Sequence, residues 1–170
     1  MKDKICKEMI IRKATNRDSA FILDLIFDIW INEYHFDVKR ENFPDLHDIE
    51  KYYSKESGLF LISIVNNKIV GTIACNRLSH ENFVLKRMFI DRDYRRLGIA
   101  QMLLDKLFEL SAISNNALFY LSTKESEAGA AKKFYLKNGF RIISQSELPE
   151  KFPFFYKDDL FMLKSSSNRS

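Results

Sequence analysis

The sequence predicts a single domain of the α/β class, with about seven strands and about four helices. The chain has 170 residues, which suffices for one substantial core. Hydrophobic residues make up 46% of it, so we expect a folded domain and not a disordered chain. Apolar runs typical of strands alternate with segments of helical spacing, without an internal repeat or a linker. We assign residues 9–164 to the domain, 1–8 to an N-terminal extension and 165–170 to a polar tail.

The first third of the domain predicts a strand and two helices. Residues 9–14 are typical of a strand. Thr15, with an acid three residues later, is a fair helix N-cap, and apolar residues then recur at helical spacing through Trp30. Residues 32–44 predict a loop, and Pro44 suits the first turn of a second helix that reaches about Tyr53.

The remaining elements alternate between strands and helices. The apolar runs 59–65 and 68–75 are split by Asn66-Asn67, a pair that tolerates the positive φ angles of a hairpin turn. Gly139 stands where a helix C-cap is expected. Further strands are predicted at 82–91, 117–122, 140–146 and 154–164, and further helices at 98–114 and 127–138.

Charge and cysteine content narrow the classes of function. The net charge of +4 suits a polyanionic ligand. The sequence has no block of like charges, which argues against nucleic-acid binding. Cys6 and Cys75 lack the spacing of metal ligands or of a disulfide scaffold, so no metal is expected. The first residues lack a signal-peptide core, and no apolar run approaches a membrane span. We therefore expect a cytoplasmic protein that does not bind a membrane.

A basic, glycine-containing turn joins a predicted strand to the N-terminus of a predicted helix. The first NH groups of a helix have no internal partner and carry partial positive charge, which favours phosphate. Gly98 lets the backbone approach a ligand closely, and Arg95 and Arg96 add donors. The turn lacks the glycine spacing of a dinucleotide-binding turn and the Gly-Lys-Ser/Thr of a P-loop. Residue types alone leave phosphate binding and a plain solvated turn equally open.

Two linked motifs resemble the GNAT superfamily of acyl-CoA N-acyltransferases. Arg-x-x-Gly-x-Ala, from Arg95 to Ala100, resembles the family's pyrophosphate loop, and residues 85–90 resemble the strand that leads into it. About thirty residues later, Ala131, Tyr135 and Gly139-Phe140 resemble the family's Ala-x-x-x-Tyr-x-x-x-Gly-Phe segment. The order of the motifs also agrees, and the resemblance extends over 9–164.

The resemblance implies a fold, a cofactor and a reaction. In the family the central sheet is mixed, and its fourth and fifth strands splay apart to admit the cofactor. The implied reaction moves an acetyl group from acetyl-CoA to a primary amine of a small molecule or peptide, directly, in a ternary complex. The implied cofactor-binding positions are Met88, Phe89, Ile90, Arg95, Arg96, Leu97, Gly98, Ile99, Ala100 and Gln101.

The resemblance also assigns chemical roles. A backbone NH at Phe89 or Ile90 would polarise the thioester carbonyl. Tyr135 matches the family's general acid, since a phenol with a pKa near about 10 can protonate a departing thiolate. On spacing alone, Tyr135 fits an ordinary half-buried helix aromatic better, and the flanking matches at Ala131 and Gly139-Phe140 are what favour the acid or thiol-orienting role. A position often occupied by Asn in the family is Ala128 here, so we expect that contact to be absent or to be supplied elsewhere, for example by Thr123 or Ser126.

No general base can be singled out from the sequence. Candidates flank the segments that face the acceptor in this fold: Glu33, His35, His80 and Glu81. Each also fits a solvated surface residue, and a water chain can remove the proton instead. Cys75 lies in a predicted strand, which favours a core residue over an acyl-enzyme nucleophile.

Aromatic segments at 29–43 and 147–155 predict the acceptor pocket, although the same side chains would also close a core. The residues expected to bind the acceptor are Trp30, Glu33, Tyr34 and Phe154. Which amine is accepted stays open. The alternative function is a non-catalytic acyl-CoA-binding or sensor module on the same fold. Pairing of an edge strand with a second copy would give a homodimer.

Overall fold

A computed structural model describes residues 8–54, 56–111, 116–155 and 157–166 of the chain. The strands are β1 (Ile10–Lys13), β2 (Gly58–Val65), β3 (Lys68–Arg77), β4 (Asn82–Ile90), β5 (Leu118–Thr123), β6 (Arg141–Ile143) and β7 (Leu160–Ser165). The α-helices are α1 (Ser19–Asp28), α2 (Pro44–His47), α3 (Ile49–Tyr52), α4 (Ile99–Ser111) and α5 (Gly129–Lys137). None of the helices in these ranges is long and apolar enough to cross a membrane.

Within the described ranges the strands form a seven-stranded sheet of order β1-β2-β3-β4-β5-β7-β6. The sheet is mixed, because β4 runs parallel to β5 whereas β7 pairs antiparallel with both β5 and β6. The predicted fold class is therefore confirmed. The chain forms two compact units, one of Met1–Cys75 with Arg87–Ser111 and the other of Asn76–Lys86 with Ala112–Ser170.

The first unit is built around helix α1 and strands β1 to β3. A capping box of Thr15 and Asp18 starts the turn that leads into α1, as the sequence predicts. Helix α1 buries Ile22 and Ile26, one turn apart, against an aromatic core that includes Trp30. The hairpin of β2 and β3 turns at Asn66 and Asn67, whose φ angles are 49° and 60°. Two consecutive left-handed residues are typical of a type I′ turn, so the predicted hairpin is confirmed.

The second unit is built around β5. Its six residues, Leu118–Thr123, all pair with β7, whereas its pairing with β4 covers Asn82–Val84 alone. The core of this unit includes Val84, Tyr120, Phe152 and Phe161. The short strand β6 ends at Ile143 because Ser144 begins a capping box with Glu147, and not at 146 as predicted.

Three further element predictions are wrong in their bounds. The predicted helix from Pro44 to Tyr53 is two separate turns, because Asp48 leaves the helical region (φ −136°, ψ 71°) and caps α3 through the Lys51 NH. The last strand begins at Leu160 and not at Phe154, because the preceding loop makes local bonds, such as Asp158 NH to Phe155 C=O at 3.1 Å. Helix α5 begins at residue 129, two residues later than predicted. Residues 112–114, the predicted end of α4, lie outside the described residues.

Candidate active site

The predicted phosphate loop has a backbone suited to anion binding. After β4 and a short turn, Arg96 and Gly98 both have left-handed backbones, with φ angles of 63° and 85°. Helix α4 begins at the next residue, Ile99, which is buried, and the Gly98 carbonyl accepts its first-turn bond from the Met102 NH at 3.1 Å. Left-handed residues are a component of anion-binding nests, in which successive NH groups face one side. The loop therefore combines two left-handed residues with a helix N-terminus in the first unit.

The Arg95 guanidinium donates hydrogen bonds to other protein groups in this structure. Its Nη1 and Nη2 donate to the two Glu33 carboxylate oxygens at 2.7 and 2.8 Å, and its Nε donates to the Ile90 carbonyl at 3.0 Å. The hydrogen bonds that Arg95 donates to Glu33 raise the pKa of Arg95 above its ordinary value, whereas burial opposes the shift. Arg92 lies 3.9 Å from the same carboxylate. The negative charge of Glu33 is thus balanced by Arg95, which lowers its attraction for a cationic amine.

The strand positions predicted to bind the pantetheine arm lie directly before this loop. Met88, Phe89 and Ile90 end β4, and their side chains are half-buried. The Phe89 ring packs edge-on against Trp30, with centroids 5.5 Å apart. The next residue, Asp91, donates its NH to the Val70 carbonyl at 2.9 Å and its carboxylate binds Lys68 at 2.7 Å. These bonds hold the end of β4 beside β3.

Tyr135 lies on α5 in the second unit, where its side chain is buried. The helix ends in a Schellman motif, because the Phe140 NH donates to the Tyr135 carbonyl at 3.0 Å and the Gly139 NH donates to the Leu136 carbonyl at 3.1 Å. Gly139 has φ +82°, as the predicted C-cap requires. The Tyr135 ring contacts the Phe140 ring at 5.2 Å, the apolar contact that accompanies such a cap. The cap therefore holds both the Tyr135 carbonyl and the Tyr135 ring against Phe140.

The remaining predicted residues fall in both units. Trp30 is buried in the first unit, and Tyr34 is 38% exposed there beside Phe36. Phe154 is 58% exposed in the second unit and contacts Phe152 and Phe161. The base candidates His35, His80 and Glu81 are exposed, and Cys75 is buried within β3. Gln101 donates to Asp105 at 2.9 Å, which directs its amide along α4.

Two functional candidates were missed by the sequence analysis. Arg87 lies within β4 with a positive φ of 57° and a buried side chain that pairs with Asp45. Asp158 is half-buried, accepts a hydrogen bond from the Ser122 hydroxyl at 2.5 Å, and has a pKa raised chiefly by burial. A raised carboxyl pKa is a recognised mark of functional sites, although no short motif surrounds this residue.

The structure combines a mixed seven-stranded sheet with a loop of left-handed residues at the N-terminus of α4. The Acetyltransferase (GNAT) domain family matches residues 56–142, more than half of the chain. An acetyltransferase of the GNAT family from Staphylococcus aureus Mu50 is 34% identical, with a TM-score of 0.87, and the match covers 93% of this chain and 99% of that one. The chain therefore belongs to the GNAT acetyltransferase family, which confirms the family that the two motifs indicate.

Two relatives with named activities are similar to this chain in different ways. The N-acetylaspartate synthetase of Xenopus tropicalis is 34% identical over 105 residues, which are 61% of this chain and 38% of that protein. The match thus spans less than half the length of this relative. The PaiA N-acetyltransferase of Thermoplasma acidophilum, solved in complex with coenzyme A, has a TM-score of 0.64 at 20% identity and covers 92% of this chain and 98% of that one. At that identity the likeness concerns the fold alone.

Proposed function

We propose that this protein is an N-acetyltransferase that moves an acetyl group from acetyl-CoA to a primary amine of a small molecule or peptide. The observation that carries the proposal is the loop in which left-handed Arg96 and Gly98 precede the N-terminus of α4. That loop offers fixed NH donors to a pyrophosphate without a change in backbone conformation. Membership of an acetyltransferase family supports acetyl-CoA as the donor.

The proposed chemistry is direct transfer in a ternary complex. The neutral amine attacks the thioester carbonyl, the carbon–nitrogen bond forms, and the carbon–sulfur bond breaks. A backbone NH of Phe89 or Ile90 would stabilise the oxyanion, and Tyr135 would give its phenolic proton to the leaving thiolate. The amine loses its own proton to water or to a base. Because Glu33 is paired with Arg95, a water chain is the better candidate for that step.

The acceptor is proposed to be a small amine, with an amino acid as the first to test. The N-acetylaspartate synthetases among the relatives support an amino-acid amine. Tyr34 and Phe154 are exposed aromatic residues that would offer apolar contacts to such an acceptor. We also propose that the protein acts in the cytoplasm, with acetyl-CoA as the acyl donor.

Calorimetric titration with acetyl-CoA tests the cofactor site. The wild-type protein should bind it, and Gly98→Leu should weaken binding by about tenfold to a hundredfold, because a side chain there keeps the pyrophosphate from the NH groups. Gly139→Leu is the matched control, since Gly139 has nearly the same φ angle (82° against 85°) and lies in the other unit. Failure of the wild type to bind, or equal weakening by both variants, would contradict the proposal.

Thiol release during incubation with acetyl-CoA and a panel of amines, with aspartate first, tests turnover. Tyr135→Phe removes only the hydroxyl, so acetyl-CoA binding should stay within about twofold while turnover falls by about a hundredfold or more. Unchanged turnover in this variant would remove Tyr135 from the mechanism. Tight acetyl-CoA binding without turnover on any amine would instead favour the sensor module.

A further inference from the structure

Arg87 interrupts β4 with a left-handed backbone. Its φ angle is +57°, although the strand continues on both sides of it, from Asn82 to Ile90. Residues with a Cβ atom adopt this region at an energetic cost, and arginine is not among the types that favour it. A left-handed residue inside a strand is the mark of a β-bulge, which bends the strand and redirects the backbone groups that follow. Here the backbone groups that follow are those of Met88, Phe89 and Ile90.

The side chain of Arg87 is fixed at its far end. Its Nε and Nη2 donate to the two Asp45 carboxylate oxygens at 3.0 and 2.9 Å, although Asp45 lies 42 residues earlier in the chain. The two side chains are only 7% and 11% exposed. The guanidinium also lies over the rings of Trp30 and Phe43, 5.5 and 5.4 Å from their centroids. A planar fork held by two oxygens and two rings has little freedom to rotate.

The other groups in this network are fixed as well. The Thr72 hydroxyl donates to the Arg87 carbonyl at 2.7 Å, which anchors the bulge to β3. The Tyr53 hydroxyl donates to Asp45 at 2.6 Å, and burial raises the pKa of Tyr53 well above its ordinary value, so it remains a donor. Backbone and side chain of the bulge residue are therefore both held by buried polar bonds from other elements.

Buried ion pairs of this kind seldom add net stability, because desolvation of the two charges offsets their attraction. Their better-supported contribution is to select one geometry over others. We propose that Arg87, locked by Asp45, is a positioning residue that sets the direction of the Met88–Ile90 backbone toward the pantetheine arm and thioester of acetyl-CoA. This inference rests on the proposed function, and it assigns Arg87 no contact with the reacting atoms.

Hydrogen–deuterium exchange measured with and without saturating acetyl-CoA tests the inference segment by segment. In the wild type, acetyl-CoA should slow exchange at both 88–90 and 96–101. In Asp45→Asn/Arg87→Met no buried charge is left unpaired, and the side-chain amide carbonyl introduced at position 45 can still accept from the Tyr53 hydroxyl. This variant should lose protection at 88–90, keep it at 96–101, and bind acetyl-CoA about five- to tenfold more weakly.

A glycine variant separates positioning from packing. Asp45→Asn/Arg87→Gly removes more side-chain volume than the methionine variant, but glycine adopts φ +57° without strain. If Arg87 acts by positioning, the glycine variant should regain part of the protection at 88–90. If Arg87 acts only by packing, the glycine variant should show less protection there than the methionine variant. Asp18→Asn is the control, because Asp18 also accepts from both terminal nitrogens of an arginine, Arg12, at 2.8 Å. This variant should keep the wild-type protection by acetyl-CoA at 88–90.

Each outcome decides the inference. Protection at 88–90 that survives in the methionine variant overturns it, as does equal loss at 88–90 and 96–101, or a glycine variant worse than the methionine variant. In those cases the wild type still binds acetyl-CoA, and the proposed function stands. Absence of protection anywhere in the wild type overturns the proposed function and this inference together.

Discussion

At the scale of single residues, Arg95 has its guanidinium occupied by protein groups. Glu33 accepts from both terminal nitrogens, and the Ile90 carbonyl accepts from Nε. The pair links the segment after α1 to the end of β4 and cancels one positive charge beside the loop. In the proposed cofactor site, Arg96 and the backbone NH groups would therefore supply more of the attraction for phosphate than the motif alone suggests.

Glu33→Gln should tighten acetyl-CoA binding by about three- to tenfold at low salt, because it removes a negative charge beside the loop. The gain should shrink toward zero at high salt, where charges are screened. Titration calorimetry at two ionic strengths measures both effects. Glu41→Gln changes the net charge equally on an exposed turn elsewhere and should leave the affinity unchanged. Equal tightening in both variants, or none in Glu33→Gln, would contradict the local effect.

At the scale of elements, the end of α5 shows how a sequence motif corresponds to one local structure. Gly139 supplies the left-handed residue, and Phe140 supplies both the NH that closes the cap and the ring that contacts Tyr135. The motif can be recognised in the sequence because all of its contacts lie within six residues. It also explains why the glycine and the two aromatic residues occur together.

Gly139→Ala should lower the free energy of unfolding by about 1 kcal/mol, because alanine is strained at φ +82°. The added Cβ would also meet Lys164 Nζ at 2.8 Å, but that flexible end can move aside. Gly129→Ala is a matched control at the start of the same helix, where a Cβ meets nothing within 4 Å. It should be neutral or stabilising. Urea denaturation of both variants provides the comparison, and equal effects would contradict the assignment of strain to Gly139.

Other elements were predictable from the sequence where their determinants are local. The Asn66-Asn67 hairpin and the capping box of Thr15 and Asp18 each depend on neighbouring residues. The predicted bounds failed where tertiary bonds act beside the local ones. Asp48, which divides the second helix, also accepts from the Asn16 amide, and Asp159, in the loop before Leu160, accepts from the Glu125 NH.

In strand β4, too, the neighbouring sequence predicts only part of the candidate site. The motif identified residues 88–90 and the loop, but nothing near Arg87 in the sequence indicates a left-handed strand residue. Arg87 is bonded to Asp45, 42 residues away, and to Thr72 across the sheet. The groups expected to bind the cofactor are therefore recognisable in the sequence, whereas the groups proposed to hold them in position come from distant residues.

At the scale of the whole molecule, buried and half-buried carboxyl groups have pKa values shifted in opposite directions. The hydrogen bond from Arg12 lowers the pKa of Asp18, although burial opposes it. Burial tends to raise the pKa of Asp91, but the bonds from Lys68 and the Asp93 NH outweigh it and the pKa is lowered. Asp158 differs, because burial raises its pKa and the bond from Ser122 opposes the shift only in part. The first two lie in one compact unit and Asp158 in the other.

The sign of each shift sets the pH dependence of stability. A carboxyl with a lowered pKa stabilises the fold above its unfolded pKa, near about 4, and loses that contribution as the pH falls through the folded value. A carboxyl with a raised pKa contributes fully below about 4 and loses its contribution as the pH rises through the folded value. Unfolding below about pH 4 should therefore be governed by Asp18 and Asp91, and Asp158 should act in the reverse sense.

Thermal unfolding of variants between pH 7 and pH 3 tests this assignment. Asp18→Asn should lose about 1 kcal/mol at pH 7 through the broken cap, and its deficit should narrow toward pH 3 as the wild-type carboxylate is protonated. Asp158→Asn should melt above the wild type at pH 7, because the amide avoids burying a charge and can still accept from Ser122. Its advantage should disappear near pH 3, where Asp158 itself is neutral. Differences from the wild type that stay constant with pH in both variants would show that neither carboxyl is linked to folding in the way its contacts indicate.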